Sequence, residues 1–130
     1  MKPLTWISVS ALFAFLGVGL GAFGAHALSS RFGDYEKGIW QTAVFYHLTH
    51  ALALFAFAVA VAAVPNFYES LGEKMVTVTA SLFAVGILIF SGSLYALALT
   101  GVRTLGMITP IGGVCFLAAW LSIAWAGFKG

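Results

Sequence analysis

Long apolar stretches alternate with short polar segments along the whole chain. The apolar residues fall into four runs, at residues 4–28, 39–64, 75–99 and 105–128. A helix of about 25 residues is roughly 37 Å long, enough to cross a hydrocarbon core of about 30 Å. These segments must be helical, because lipid offers no partner to an unpaired backbone amide. The pattern predicts an all-α integral membrane four-helix bundle, with residues 1–130 forming a single four-span transmembrane domain.

The connections between the runs are short and read SSRFGDYEKG, PNFYESLGEK and TGVRT. Short loops place consecutive helices antiparallel. We therefore expect antiparallel neighbours and both termini on the same side of the membrane. The triplet Ala25-His26-Ala27 imitates a signal-peptide cleavage site, but the first run exceeds the usual apolar length of about 7–15 residues, which favours a retained helix.

The composition excludes a water-facing surface. Hydrophobic residues make up 62% of the chain and charged residues 8%, against about 25% charged residues in a soluble domain. The natural solvent for most of the surface is lipid. The net charge of +2 forms no basic patch, so nucleic-acid binding is unsupported. Cys115 is the single cysteine, so no intrachain disulfide can form.

The charges of the loops leave the membrane orientation undetermined. If the termini share one side, that side carries Lys2, Lys74 and Lys129, and the other carries Arg31, Lys37 and Arg103. Three positive residues against three give the positive-inside rule no asymmetry. A dual-topology dimer, with chains inserted in both orientations, stays open as an alternative.

Small residues mark predicted helix contacts. In the second run, a wheel at 100° per residue separates a bulky face, which we expect to meet lipid, from a face of small residues around His47. Glycines at small-xxx-small spacing let helix backbones approach closely. The predicted packing positions are Gly17, Gly21, Gly24, Gly112 and Gly113.

Most polar side chains within the spans fall in one half of the membrane. Measured from the side of the first and third connections, His47 and Ser91 both lie roughly 12 Å deep at 1.5 Å per residue. Polar groups in hydrocarbon need partners, so we expect a hydrogen-bonded cluster. The candidate polar-cluster or ligand residues are His26, Tyr46, His47, His50, Ser91, Ser93, Tyr95 and Thr109.

This cluster admits several interpretations. It is a polar core that fixes helix register, a proton- or solute-handling path, or a metal or haem site in which His47 and His50 are the candidate ligands. No Asp or Glu lies within a span, and no metal or cofactor is assigned. A serine near His47 resembles a nucleophile and base, but no acid orients the histidine. We therefore assign no catalytic residues.

Four segments resemble a known family. They are GAFGAHAL at 21–28, WQTAVFYHLTHA at 40–51, FSGSLYALALTG at 90–101 and LGMITPIGGVCFLAAW at 105–120. Together they resemble the small membrane proteins grouped as domain of unknown function 423, which include the eukaryotic transmembrane protein 256. The resemblance implies a four-span protein of the bacterial cytoplasmic (inner) membrane and implies no activity.

We interpret the chain as an uncharacterised, non-enzymatic accessory or scaffold protein with a polar His/Ser/Tyr cluster in half of its bundle. Its expected partners are the lipid bilayer and either further copies of itself or another membrane protein. The alternatives are a small transporter or channel and a metal- or haem-binding membrane protein.

Overall fold

The computed structural model describes residues 2–130, and within this part of the chain the regular elements are all helical. The α-helices are α1 (Pro3–His26), α2 (Asp34–Ala63), α3 (Phe67–Leu71), α4 (Glu73–Gly86), α5 (Gly92–Thr100) and α6 (Thr109–Lys129). A π-helical turn, Ile87–Ser91, joins α4 to α5, and a 3-10 helix, Arg103–Met107, precedes α6.

Four continuous helical segments are long and apolar enough to cross a membrane. They are Pro3–His26, Asp34–Ala63, Glu73–Thr100 and Arg103–Lys129. The prediction of an all-α protein with four membrane-spanning helices is confirmed. Antiparallel neighbours and a shared side for the termini stay predictions.

The helix boundaries differ from the apolar runs for identifiable reasons. The second helix begins at Asp34 rather than at residue 39, because Asp34 and Glu36 in its first turn favour the positive end of the helix dipole. The connection predicted after residue 64 contains the short helix α3, which begins after Asn66 in a left-handed conformation (φ 66°). A five-residue helix is too short to be recognised from hydropathy.

The second span is central to the bundle. α2 packs against α1 on one side and against the third span on another, and the third span packs in turn against α6. The predicted faces of α2 are found: Ala43, Ala51 and Leu54 are fully buried. The exposed side carries Phe45, Leu52, Phe55 and Val59.

The buried apolar residues form two groups. The larger group includes Trp6, Leu54, Phe57, Phe83 and Phe116 and joins all four spans. The smaller group, Leu28, Phe32, Trp40 and Ala98, lies under the first connection. The polar cluster is built from α2, α5 and α6 side chains between and beside these two groups.

Candidate functional site

His47 joins three helices through its two ring nitrogens. Nε2 lies 2.8 Å from the Phe13 carbonyl oxygen of α1, and Nδ1 lies 2.8 Å from the Tyr95 hydroxyl of α5. A carbonyl can only accept, so Nε2 carries the proton. In the neutral ring, Nδ1 then accepts the hydrogen bond that the Tyr95 hydroxyl donates. The side chain is 4% exposed, and both of its ring nitrogens are hydrogen-bonded.

His50 makes a second, separate connection. Its Nδ1 donates to the Tyr46 carbonyl one turn back (2.9 Å), and its Nε2 accepts from the Trp120 indole N–H of α6 (3.2 Å). The imidazole also stacks on the Phe116 ring, with 3.6 Å between centroids and 11° between planes. His50 therefore ties α2 to the fourth span, whereas His47 ties α2 to the first and third.

The hydroxyl groups complete the cluster. Ser91, fully buried at the end of the π turn, donates to the Ala43 carbonyl of α2 at 2.7 Å. Ser93 lies 2.9 Å from the Phe90 carbonyl and contacts the Thr109 hydroxyl of α6. Each predicted serine and threonine of the cluster thus has a partner within the chain, and three of the four spans are joined at this level.

Trp40 belongs to the same network and was not predicted as a site residue. Its indole N–H donates to the Leu20 carbonyl of α1 at 2.9 Å. The ring packs 4.7 Å from Tyr95 and 5.7 Å from Phe32, centroid to centroid. A Cβ at Gly24 would lie 2.0 Å from Trp40 Nε1, so only glycine leaves room for the indole. The glycines at positions 17, 21 and 24 were the signal in the sequence that another part of the protein packs closely against this face of the first span.

The remaining predicted cluster residues are placed differently. His26 is exposed in the last turn of α1 and takes no part in the hydrogen bonds described above. Tyr46 is 36% exposed and contributes its ring, which packs 4.4 Å from Phe90 and lies parallel to His50. Its hydroxyl forms no hydrogen bond within residues 2–130.

Gly17 and Gly21 of the first span face α2. A Cβ at Gly17 would lie 2.6 Å from Leu48 Cδ2 and 3.2 Å from His47 Cδ2. A Cβ at Gly21 would lie 3.2 Å from Val44. The missing side chain at Gly17 is what brings the His47 ring within reach of the α1 backbone.

The two adjacent glycines of α6, Gly112 and Gly113, differ in how closely they approach the third span. A Cβ at Gly112 would lie 2.4 Å from the backbone nitrogen of Phe90, in the π turn, whereas one at Gly113 would make only ordinary contact at 3.9 Å. Gly86, before the π turn, similarly accommodates the Phe116 ring at 2.5 Å. Gly86 and Gly112 therefore allow the third and fourth spans to pack closely.

The imidazole and serine groups of the cluster already have partners inside the protein. The imidazole lone pairs of His47 and His50 already accept hydrogen bonds from Tyr95 and Trp120. A metal ion would have to displace one of these donors, because a metal binds through the same lone pair. Among residues 2–130, no three His, Cys, Asp or Glu side chains lie close enough together to hold an ion. The serines donate to carbonyl oxygens or contact a hydroxyl, and neither hydrogen-bonds to an imidazole.

Fold and site together define a class: a small integral membrane protein with four helical spans joined internally by a polar network. The family described as "Protein of unknown function (DUF423)" matches residues 20–113. The chain therefore belongs to this family, and the predicted resemblance is confirmed.

Relatives are found across distant bacteria. The UPF0382 membrane protein YwdK of Bacillus subtilis is 44% identical over 95% of this chain and 96% of its own length. The UPF0382 inner membrane protein YgdD of Escherichia coli K12 is 42% identical over 85% of this chain and 79% of its own. No solved structure matches. The protein is accordingly a multi-pass protein of the bacterial inner membrane, and its family has no assigned activity.

Proposed function

We propose that this protein is a non-enzymatic accessory or scaffold protein of the inner membrane, which acts by binding another membrane protein or further copies of itself. One observation carries the proposal: the ring nitrogens of His47 and His50 all have partners inside the chain. These nitrogens join helices, so none of them is free to bind a substrate or a metal ion without giving up a hydrogen bond.

A partner would bind to the outer surfaces of the first and fourth spans, which are the least buried within the protein. Only 11% of the apolar window of the first span and 17% of that of the fourth are buried, against 39% for each of the other two. On the outward face of α1, Phe15 is 74% exposed, and a Cβ at Gly19 would meet nothing within 4 Å. Small residues beside large ones suit close helix–helix contact in lipid.

Photocrosslinking tests this proposal in native membranes. A photoreactive phenylalanine analogue replaces Phe15 on the outward face of α1. The matched control replaces Phe55, which is 43% exposed on α2. We expect discrete protein adducts from position 15, identifiable by mass spectrometry as one partner or a second copy, and only lipid adducts from position 55.

Two results would overturn the proposal. One is the absence of any protein adduct at position 15. The other is proton flux by the purified protein in liposomes, read with an entrapped pH dye, above that of empty liposomes and lost in His47→Ala. The second result would instead support the transporter alternative, in which the histidines act as a path.

A further inference from the structure

A groove of about 610 Å³ runs between α1 and α2 beside the first connection. Neither His47 nor His50 lines this α1–α2 groove, although Trp40 of the polar network does. Its floor on the α1 side is made of small residues, Gly21, Gly24 and Ala25. Its volume lies within the range of about 300–1,000 Å³ usual for small-molecule sites.

The groove is polar at one end and apolar along the rest. Lys37, Gln41 and Ser29 lie at the end near the connection, whereas Val44, Phe45 and Leu48 continue into the membrane. Lys37 is the only charged residue in this lining, within residues 2–130. Asp34, three residues before Lys37, lines a different hollow together with Tyr35 and Leu94. The cation therefore faces the groove without a carboxylate in the lining.

The length of the groove matches one leaflet. From Lys37 to Leu48 the helix rises roughly 16 Å at 1.5 Å per residue, about half of a 30 Å hydrocarbon core. A single acyl chain needs only this half, with its headgroup at the level of Lys37.

We propose that the α1–α2 groove binds one anionic phospholipid, with an acyl chain along Val44 and Leu48 and the phosphate at Lys37. Basic pockets between transmembrane helices bind anionic headgroups in this way. Gln41 and Ser29 supply further donors to phosphate or glycerol oxygens. Ala25, an exposed small residue of α1, leaves this side of the groove open to the acyl chain.

Native mass spectrometry of the detergent-purified full chain tests the proposal. The protein is exposed to equal amounts of phosphatidylglycerol and phosphatidylcholine with identical acyl chains. We expect one lipid retained per chain, with roughly a fivefold preference for phosphatidylglycerol, the amount that one lysine near the surface supplies. Equal retention of both headgroups would overturn the proposal.

Variants separate the headgroup from the acyl-chain contact. Lys37→Gln should abolish the preference, whereas Lys74→Gln, the same charge change at an exposed residue of α4, should leave it intact. Ala25→Trp places an indole in the groove from an exposed position and should lower retention of both lipids. A preference that persists in Lys37→Gln would overturn the assignment of the phosphate to this lysine.

Two further outcomes would contradict a lipid site. Soluble glycerol 3-phosphate that displaces the lipid at matched concentration would indicate a site for free phosphate esters. A dimer that retains no lipid, and that dissociates in Ala25→Trp, would indicate that a second copy fills the groove.

Discussion

At the scale of single residues, two histidines three positions apart serve different helices. Successive positions on a helix are rotated by 100°, so His47 and His50 diverge by about 60°. The His47 ring reaches α1 and α5, and the His50 ring reaches α6. The pair therefore joins α2 to each of the other spans.

The hydrogen bond between Trp120 and His50 can be tested by removing its donor. In Trp120→Phe the His50 Nε2 lone pair loses its partner, and we expect the free energy of unfolding to fall by about 1 kcal/mol, as for other polar contacts between membrane helices. The matched control is Trp125→Phe, because Trp125 is 68% exposed on the same helix. Unfolding in mixed micelles measures the free energy of unfolding of both variants. Equal effects would show that the hydrogen bond contributes nothing.

The sequence could predict which side chains need partners but not what the partners are. Polar residues at one depth predict a cluster, since hydrocarbon leaves them no water. Five of the partners, however, are carbonyl oxygens, those of Phe13, Leu20, Ala43, Tyr46 and Phe90. Every residue carries a carbonyl, so no residue type marks the one that will be used. Trp40 was missed for the same reason: its partner is backbone.

At the scale of helices, the third span departs from a regular α-helix. The π turn Ile87–Ser91 lies where the Phe90 backbone meets Gly112, and it ends on the buried Ser91. Hydropathy predicts the length of a span, but a π turn changes only the hydrogen-bond register and leaves the apolar run intact. The buried face of α4 includes Thr79, Ala80 and Phe83.

The neighbouring glycines of α6 test this helix contact. We expect Gly112→Ala to destabilise the protein by about 1–3 kcal/mol, because its Cβ would press on the Phe90 backbone, which cannot rotate away. Gly113→Ala should be neutral or should stabilise by up to about 1 kcal/mol through helix propensity. Thermal unfolding in detergent compares the two variants. Similar melting temperatures would contradict the close approach at Gly112.

At the scale of the whole molecule, the fold class could be predicted from the sequence, whereas the packing order of the helices and the membrane orientation could not. Backbone groups in lipid must be satisfied within a helix, so apolar length alone predicts four spans. The order of packing, with α2 central and α1 peripheral, depends on side-chain fit that the runs do not encode. If the termini share one side, three basic residues there balance three on the other side, so the orientation has to be measured.

The central claim is that the polar cluster holds the helices together rather than serving as a reactive site. A double-mutant cycle on His47→Ala and Tyr95→Phe, with unfolding free energy as the readout, tests it most directly. We predict that both single variants lose stability and that the pair couples by about 0.6–1.7 kcal/mol. Residues kept for activity are often replaced with a gain in stability. A more stable His47→Ala variant, or a coupling energy of zero, would contradict the account.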